Sequence, residues 1–182
     1  MNIKSFILIL VTLLFNISLS LSTSTSSKEL SRGWGEDVKW ISITDAYRVA
    51  KELNKPVMTI IWKSWCGSCK ALKPLIAESE AFVKLSTKFV MVNAGDDEEP
   101  TSEDYKIDGG YIPRIYFSNS DAKVMKDIVN VGGNAKYLFY YSDVDSILRS
   151  MTTVLNRIKD GKVIEEDYVD VDTKVEENRK DL

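Results

Sequence analysis

The chemically most distinctive residues are Cys66 and Cys69, the two cysteines of the chain, held in the stretch Trp65-Cys66-Gly67-Ser68-Cys69-Lys70. Just upstream, Val57 to Trp62 is a continuous run of β-branched and apolar residues, the pattern of a strand buried on both faces. A helical pattern follows at once, so the pair sits where a strand hands over to a helix. A sulfur at that junction lies beside the positive end of the helix dipole, which stabilises a thiolate and lowers its pKa. The thiolate is the species that attacks a disulfide. Cys66 is therefore the expected nucleophile. Cys69, one turn further in and more shielded, is expected to resolve the mixed disulfide. Gly67 and Ser68 link the two sulfurs, Trp65 flanks them, and Lys63 and Lys70 are expected to add modest positive potential.

Other uses of this spacing are weaker. Two cysteines two residues apart supply half of a zinc site, but the chain has no third cysteine and no histidine, so only a site shared between two chains would complete the ligand set. As a purely structural bridge the pair closes so short a loop that it constrains the unfolded chain little. Redox chemistry is the better account, and it requires no metal and no organic cofactor. With 182 residues, 44% of them apolar, the chain has material for one ordinary domain with short extensions. A net charge of -3 and no long basic run argue against nucleic acid or an anionic membrane as partner.

Several elements must position the pair. Val38 to Ile43 reads as a short strand, and Thr44 is placed to cap a helix running to about Leu53, ended by Asn54, Lys55 and Pro56. The helix opened by Cys66 is expected to reach about Leu85, kinked at Pro74, which lacks the N–H for a helical bond. Lys88 to Val92 reads as a second buried strand, completing a right-handed βαβ unit with a parallel pair. Arg114 to Ser118 and Lys123 to Val129 suggest a hairpin around Asn119-Ser120-Asp121. Val144, Ile147, Leu148, Met151, Val154, Leu155 and Ile158 repeat at helical spacing, with Ser142 and Asp145 as a capping pair and Gly161 as the stop.

The ends differ in character. Residues 1–22 have the layout of a cleavable signal peptide: Lys4, the apolar run Phe6 to Phe15, then small polar residues, with cleavage expected near Ser20 to Ser22. The apolar run falls short of the ~20 residues that span a bilayer. A membrane anchor is the competing reading of this segment; cleavage would remove Lys4 and no acidic residue, leaving a net charge of -4 and no expected membrane contact. Residues 23–33, rich in Ser and Thr, read as a flexible leader, residues 34–160 as the folded domain, and residues 161–182 as an acidic, disordered tail. Asp96 to Glu99, with Glu103 and Asp104, reads as a solvated acidic loop; its spacing is not that of an EF-hand. Trp34 and Trp40 read as core anchors or part of a rim.

The active-site stretch resembles that of the thioredoxin superfamily and the protein disulfide isomerases. Pro74 sits where that family kinks its helix, and Tyr111-Ile112-Pro113 is similar to its cis-proline loop, which faces the disulfide and offers backbone to a substrate strand. Lys63 to Lys70, Ala71-Leu72-Lys73-Pro74, Asp96-Asp97-Glu98-Glu99-Pro100 and Asp108 to Arg114 together are similar to the small endoplasmic reticulum oxidoreductases grouped with the anterior gradient proteins, over about Gly33 to Arg157.

The resemblance implies a thioredoxin-like α/β fold, a mixed central sheet with helices on both faces. It implies Trp65, Ile112 and Pro113 as substrate-binding residues, and protein-disulfide exchange with cysteine-bearing secretory clients or with glutathione, in the endoplasmic reticulum lumen or after secretion. It also offers a rival: anterior gradient relatives that keep the fold with one cysteine replaced act as client-binding or quality-control adaptors. Two departures stand out. The buried carboxylate that the family places six residues before the first cysteine is here Ile60. The Lys-Asp-Glu-Leu type of retrieval signal is represented only by Arg179-Lys180-Asp181-Leu182.

Overall fold

The computed structural model describes residues 26–159. The signal-peptide reading of residues 1–22, the Gly161 stop and the tail at 161–182 fall outside the described residues. Seven regular elements carry the domain: helix α1 (Ile43–Leu53), strand β1 (Val57–Trp62), helices α2 (Gly67–Ala77) and α3 (Glu80–Ser86), strands β2 (Val90–Gly95) and β3 (Arg114–Ser118), and helix α4 (Val144–Lys159).

The sheet has the order β2-β1-β3. β1 pairs parallel with β2, from Val57 opposite Val90 to Trp62 opposite Gly95, and antiparallel with β3, from Val57 opposite Ser118 to Ile61 opposite Arg114. Every residue of the three strands is buried, as expected where both faces are covered. Alternate side chains go to opposite layers. Val57, Val90, Val92 and Ala94 meet Ala46 and Ala50 of α1, while Met58, Ile60, Trp62, Met91, Ile115 and Phe117 meet Leu72 and Ile76 of α2, Phe82 of α3, and Ile147, Met151 and Val154 of α4. The sheet is thus mixed, with α1 on one face and α2, α3 and α4 on the other.

Local chemistry moved several boundaries from their sequence expectations. Residues 38–43 form no strand beyond one bridge, Trp40 to Met91, because Ser42 leaves the sheet to cap α1 by accepting from Asp45 N at 3.2 Å. Ser42, not Thr44, is therefore the cap. The single helix expected over 66–85 is two helices. Ser79 adopts extended backbone and its Oγ accepts from Phe82 N at 3.2 Å, so the chain restarts there instead of merely kinking at Pro74. β2 begins two residues later than expected because Lys88 and Phe89 donate back to the carbonyls of Leu85 and Ser86 as α3 closes.

The hairpin turn is present, with Asn119 Oδ1 accepting from Asp121 N and Lys123 N. Its second arm pairs only through the Ser118–Val124 bridge. For α4 the cap is Asp143, whose Oδ1 accepts from Ser146 N at 2.7 Å, instead of the Ser142 and Asp145 pair. The described part of the leader is folded: Glu29–Ser31 makes a 3-10 turn, Leu30 joins the core, and Ser27 Oγ accepts from Trp40 N at 2.9 Å. Trp34 and Trp40 are buried anchors, and Trp34 meets Trp62 edge-on at 6.0 Å.

One glycine is fixed by close approach. A Cβ on Gly95 would lie 2.7 Å from Cζ2 of Trp62, in the cross-strand pair that ends the sheet beside the cysteines. Gly95→Ala is expected to lower stability by about 1–3 kcal/mol, the usual cost of overpacking. The check is the urea midpoint of the purified protein, which should fall with no change in the slope of the transition.

Candidate active site

β1 ends at Trp62, and Lys63 to Trp65 turn the chain so that Cys66 becomes the N-cap of α2. Cys66 N donates to the Lys63 carbonyl at 3.1 Å, and Lys70 N donates to the Cys66 carbonyl at 3.1 Å. In this cap geometry Cys66 Sγ accepts the backbone N–H of Cys69 at 3.1 Å. A sulfur receiving a helix-terminal N–H, at the positive end of the helix dipole, is placed to hold negative charge.

Cys66 and Cys69 are disulfide-bonded to each other. They differ in access: Cys69 is fully buried, while Cys66 keeps 5% exposure. Around them Trp65 projects into solvent at 72% exposure, and Gly67, Ser68 and Lys70 are exposed on the first turn of α2. A Cβ on Gly67 would meet nothing within 4 Å, so no steric demand for glycine exists there.

The opposite wall is the loop before β3. The Ile112–Pro113 peptide bond is cis, and the Ile112 carbonyl oxygen lies 3.8 Å from Cys66 Sγ. Beside it a cleft of about 300 Å³ is lined by Ser68, Tyr111, Ile112, Asn134, Tyr137 and Tyr140. Tyr111 anchors this wall: its hydroxyl donates to Asp108 Oδ2 at 2.6 Å and accepts from Phe139 N at 3.0 Å, and its ring meets Tyr137 edge-on at 4.8 Å. Burial, and then the adjacent Asp108 carboxylate, push the Tyr111 phenol far above its ordinary range.

Two expectations about neighbouring groups change. Lys63 is occupied by the acidic loop: it donates to the Asp96 carbonyl and pairs with Glu99 at 3.2 Å. Its charge is therefore largely balanced before it reaches the sulfurs. The acidic loop is exposed at Asp96, Asp97 and Glu98, as expected, but it is also tethered at several points. Asp96 Oδ1 accepts from Ser64 N at 2.9 Å, Glu98 is clasped by Arg32 and accepts from Gly95 N, and Glu99 bridges Lys63 and Arg114. Among the described residues no cluster of acidic, cysteine or histidine side chains suits a metal ion. Ile60 is fully buried in the same apolar cluster as Cys66, Cys69, Trp62 and Leu72, so an aliphatic side chain fills the place expected for it.

Sequence reasoning did not single out Arg114 or Lys73 as site residues. Arg114 is fully buried, with its Nη1 donating to the carbonyls of Gly109 and Tyr111 at 3.2 and 2.9 Å. A cation directly after Pro113, opening an otherwise uncharged strand, was the available signal. Lys73 reaches back beneath the site, its Nζ 3.5 Å from the Trp62 ring centre and 2.9 Å from the Arg32 carbonyl. Burial lowers its pKa.

A family model described as Thioredoxin-like matches residues 39–120. Anterior gradient protein 2-B of Xenopus laevis is 30% identical over 159 residues, covering 86% of this chain and 96% of that protein. The chain belongs to the anterior gradient family of thioredoxin-like proteins. The human anterior gradient protein 2 homolog is 34% identical over 131 residues, which is 71% of this chain and 74% of the relative. In solved structures the fold is shared with a thioredoxin from Thermus thermophilus, with a TM-score of 0.50 at 15% identity over 66% of this chain and 89% of that one. With its paired cysteines, this anterior gradient protein is of the thiol-disulfide oxidoreductase type.

In this family member the acidic loop should set the acid limit of the fold. The backbone N–H of Ser64 holds the Asp96 carboxyl low, and the Arg32 hydrogen bonds hold Glu98 low. For Glu99, burial opposes ionisation, but the hydrogen bonds from Arg114 and Lys63 outweigh it. Groups with depressed folded pKa values stabilise fully above their unfolded values, about 4, and that contribution is lost as pH falls through the folded values. Urea midpoints should be flat from pH 7 to about 5 and then fall. Glu98→Gln should lower the neutral plateau and flatten the acid limb.

Proposed function

We propose that the protein exchanges disulfides with cysteine-bearing polypeptides of the secretory pathway, with Cys66 as nucleophile and Cys69 as resolving thiol. The observation that carries this reading is the capping of α2 by Cys66 Sγ, 3.1 Å from Cys69 N, with the Ile112 carbonyl 3.8 Å away across the cleft. The cap stabilises the thiolate, and the cis-proline loop offers backbone to which an extended client segment can add.

In the reducing direction, the Cys66 thiolate attacks one sulfur of the client disulfide. A mixed disulfide forms, and the second client sulfur leaves as a thiolate that takes up a proton. Cys69 then loses its proton and attacks Cys66 Sγ. The Cys66–Cys69 bond forms, the mixed disulfide breaks, and the first client sulfur, the one bonded to Cys66, leaves and is protonated. Two electrons pass from the pair to the client, and the same steps reversed make the protein an oxidant.

Ile60 bears on the second step. With an aliphatic side chain where relatives of this fold are expected to hold a carboxylate, the proton of Cys69 goes to water or to the departing client thiolate. Release is then slower than attack, which favours long-lived mixed disulfides. Trp65 and the tyrosine-lined cleft supply apolar surface for client residues flanking the cysteine, and the small thiol glutathione is the alternative electron source for the same pair. Residence in the endoplasmic reticulum lumen, with secretion as the alternative, is supported by the signal-peptide layout of residues 1–22.

Cys69→Ser leaves the nucleophile and removes the escape route, so it should accumulate client adducts that a reductant releases. Cys66→Ser should capture few. Alkylation of Cys66 against pH should show a midpoint below the ~8.5 of a free cysteine. If neither variant traps clients and Cys66 reacts as an ordinary thiol, the adaptor reading of the fold replaces the enzymatic one.

A further inference from the structure

Two loops face one another across the cysteine pair, the turn Lys63–Cys66 and the cis-proline loop 109–113. A single carboxylate joins them. Glu99 pairs with Lys63 at 3.2 Å on one side and with Arg114 on the other. Lys63 belongs to the turn whose carbonyl receives Cys66 N, while Arg114 donates to the carbonyls of Gly109 and Tyr111, so the guanidinium grips the backbone of the opposite loop. The side chain of Arg114 is wholly buried and that of Glu99 is 22% exposed. Removing the carboxylate leaves a buried cation without its counterion, so the arrangement is costly to disturb.

We infer that Glu99 is a positioning residue: through Lys63 and Arg114 it fixes the separation of the Cys66 turn and the cis-proline loop, and so the width of the cleft that receives a polypeptide disulfide. The inference rests on the disulfide-exchange reading. It goes further by naming what aligns the client. Glu99 touches neither sulfur, so its effect falls on substrates that need both walls. A client segment lies along Ile112 while its disulfide meets Cys66; a small disulfide needs the sulfur alone. Misplacing one wall relative to the reacting atom lowers the rate for the first kind of substrate.

The test compares two probes in wild type, Glu99→Ala, Glu99→Gln and Lys63→Met: a quenched peptide carrying one disulfide, and hydroxyethyl disulfide. Glu99→Ala should slow attack on the peptide by about tenfold or more, mainly through KM, with the small disulfide near wild type. Glu99→Gln, which keeps an oxygen for Arg114, should recover part of the loss. Lys63→Met cuts one arm only, leaves the counterion of Arg114 in place, and should show the same selective loss should Glu99→Ala not fold.

Equal losses for both probes, or none for the peptide in folded Glu99→Gln and Lys63→Met, would overturn the assignment. Amide hydrogen exchange separates its failure from that of the functional reading. If wild type acts on neither probe, exchange reads the clamp directly. Faster exchange at residues 109–112 in Glu99→Gln supports it, and unchanged exchange refutes it.

Discussion

The hydrogen bond from the backbone N–H of Cys69 to Cys66 Sγ forms only if the chain leaves β1, turns once and enters α2 with Cys66 as its cap. The placement of β1 at the centre of the sheet follows from that need. A central strand is held on both edges, by β2 and β3, so its C-terminal end is the most rigid support the fold offers for a helix start. The same end is where Trp62 crosses Gly95, and the absent side chain there lets β2 run to the tip of the sheet and deliver the acidic loop next to the cysteines.

From that tip the site is assembled by backbone-directed polar contacts more than by packing. Asp96 holds the Ser64 N–H, Glu99 holds Lys63 and Arg114, and Arg114 holds two carbonyls of the cis-proline loop. Of these groups Arg114 is the one whose burial is costly, and Glu99 and the two carbonyls offset it, while its Nε has no partner. The apolar layer beneath, with Ile60, Trp62, Leu72 and Cys69, keeps the second sulfur away from water. Fully buried Cys69 and slightly accessible Cys66 are thereby given different environments three residues apart.

Much of this was legible in the sequence. The run Val57 to Trp62 has a composition that only a doubly buried strand tolerates, and cysteine spacing plus helical periodicity then locates the cap. Periodicity likewise exposed α4. Boundaries were less legible because they turn on competing side-chain bonds: Ser42 and Ser79 each capture a backbone N–H and redirect the chain, which no hydrophobic pattern records. The tethers of the acidic loop were hidden for a related reason. Its charge run looks solvated in one dimension, while its partners Arg32, Lys63, Ser64 and Arg114 come from three separate parts of the chain. The resemblance to the family indicated the cis-proline loop, whereas the grip of Arg114 on it is a fact of tertiary structure.

The account makes the Cys66–Cys69 bond an exchanging bond and not a staple. The measurement that tests this most directly is its reduction potential, obtained by equilibrating the purified protein in glutathione buffers of graded poise and counting free thiols. A thiolate stabilised at the cap predicts a reversible two-electron transition between about -120 and -270 mV, the range spanned by known exchange catalysts. A bond that stays oxidised until the buffer passes about -300 mV, as structural disulfides do, would contradict it.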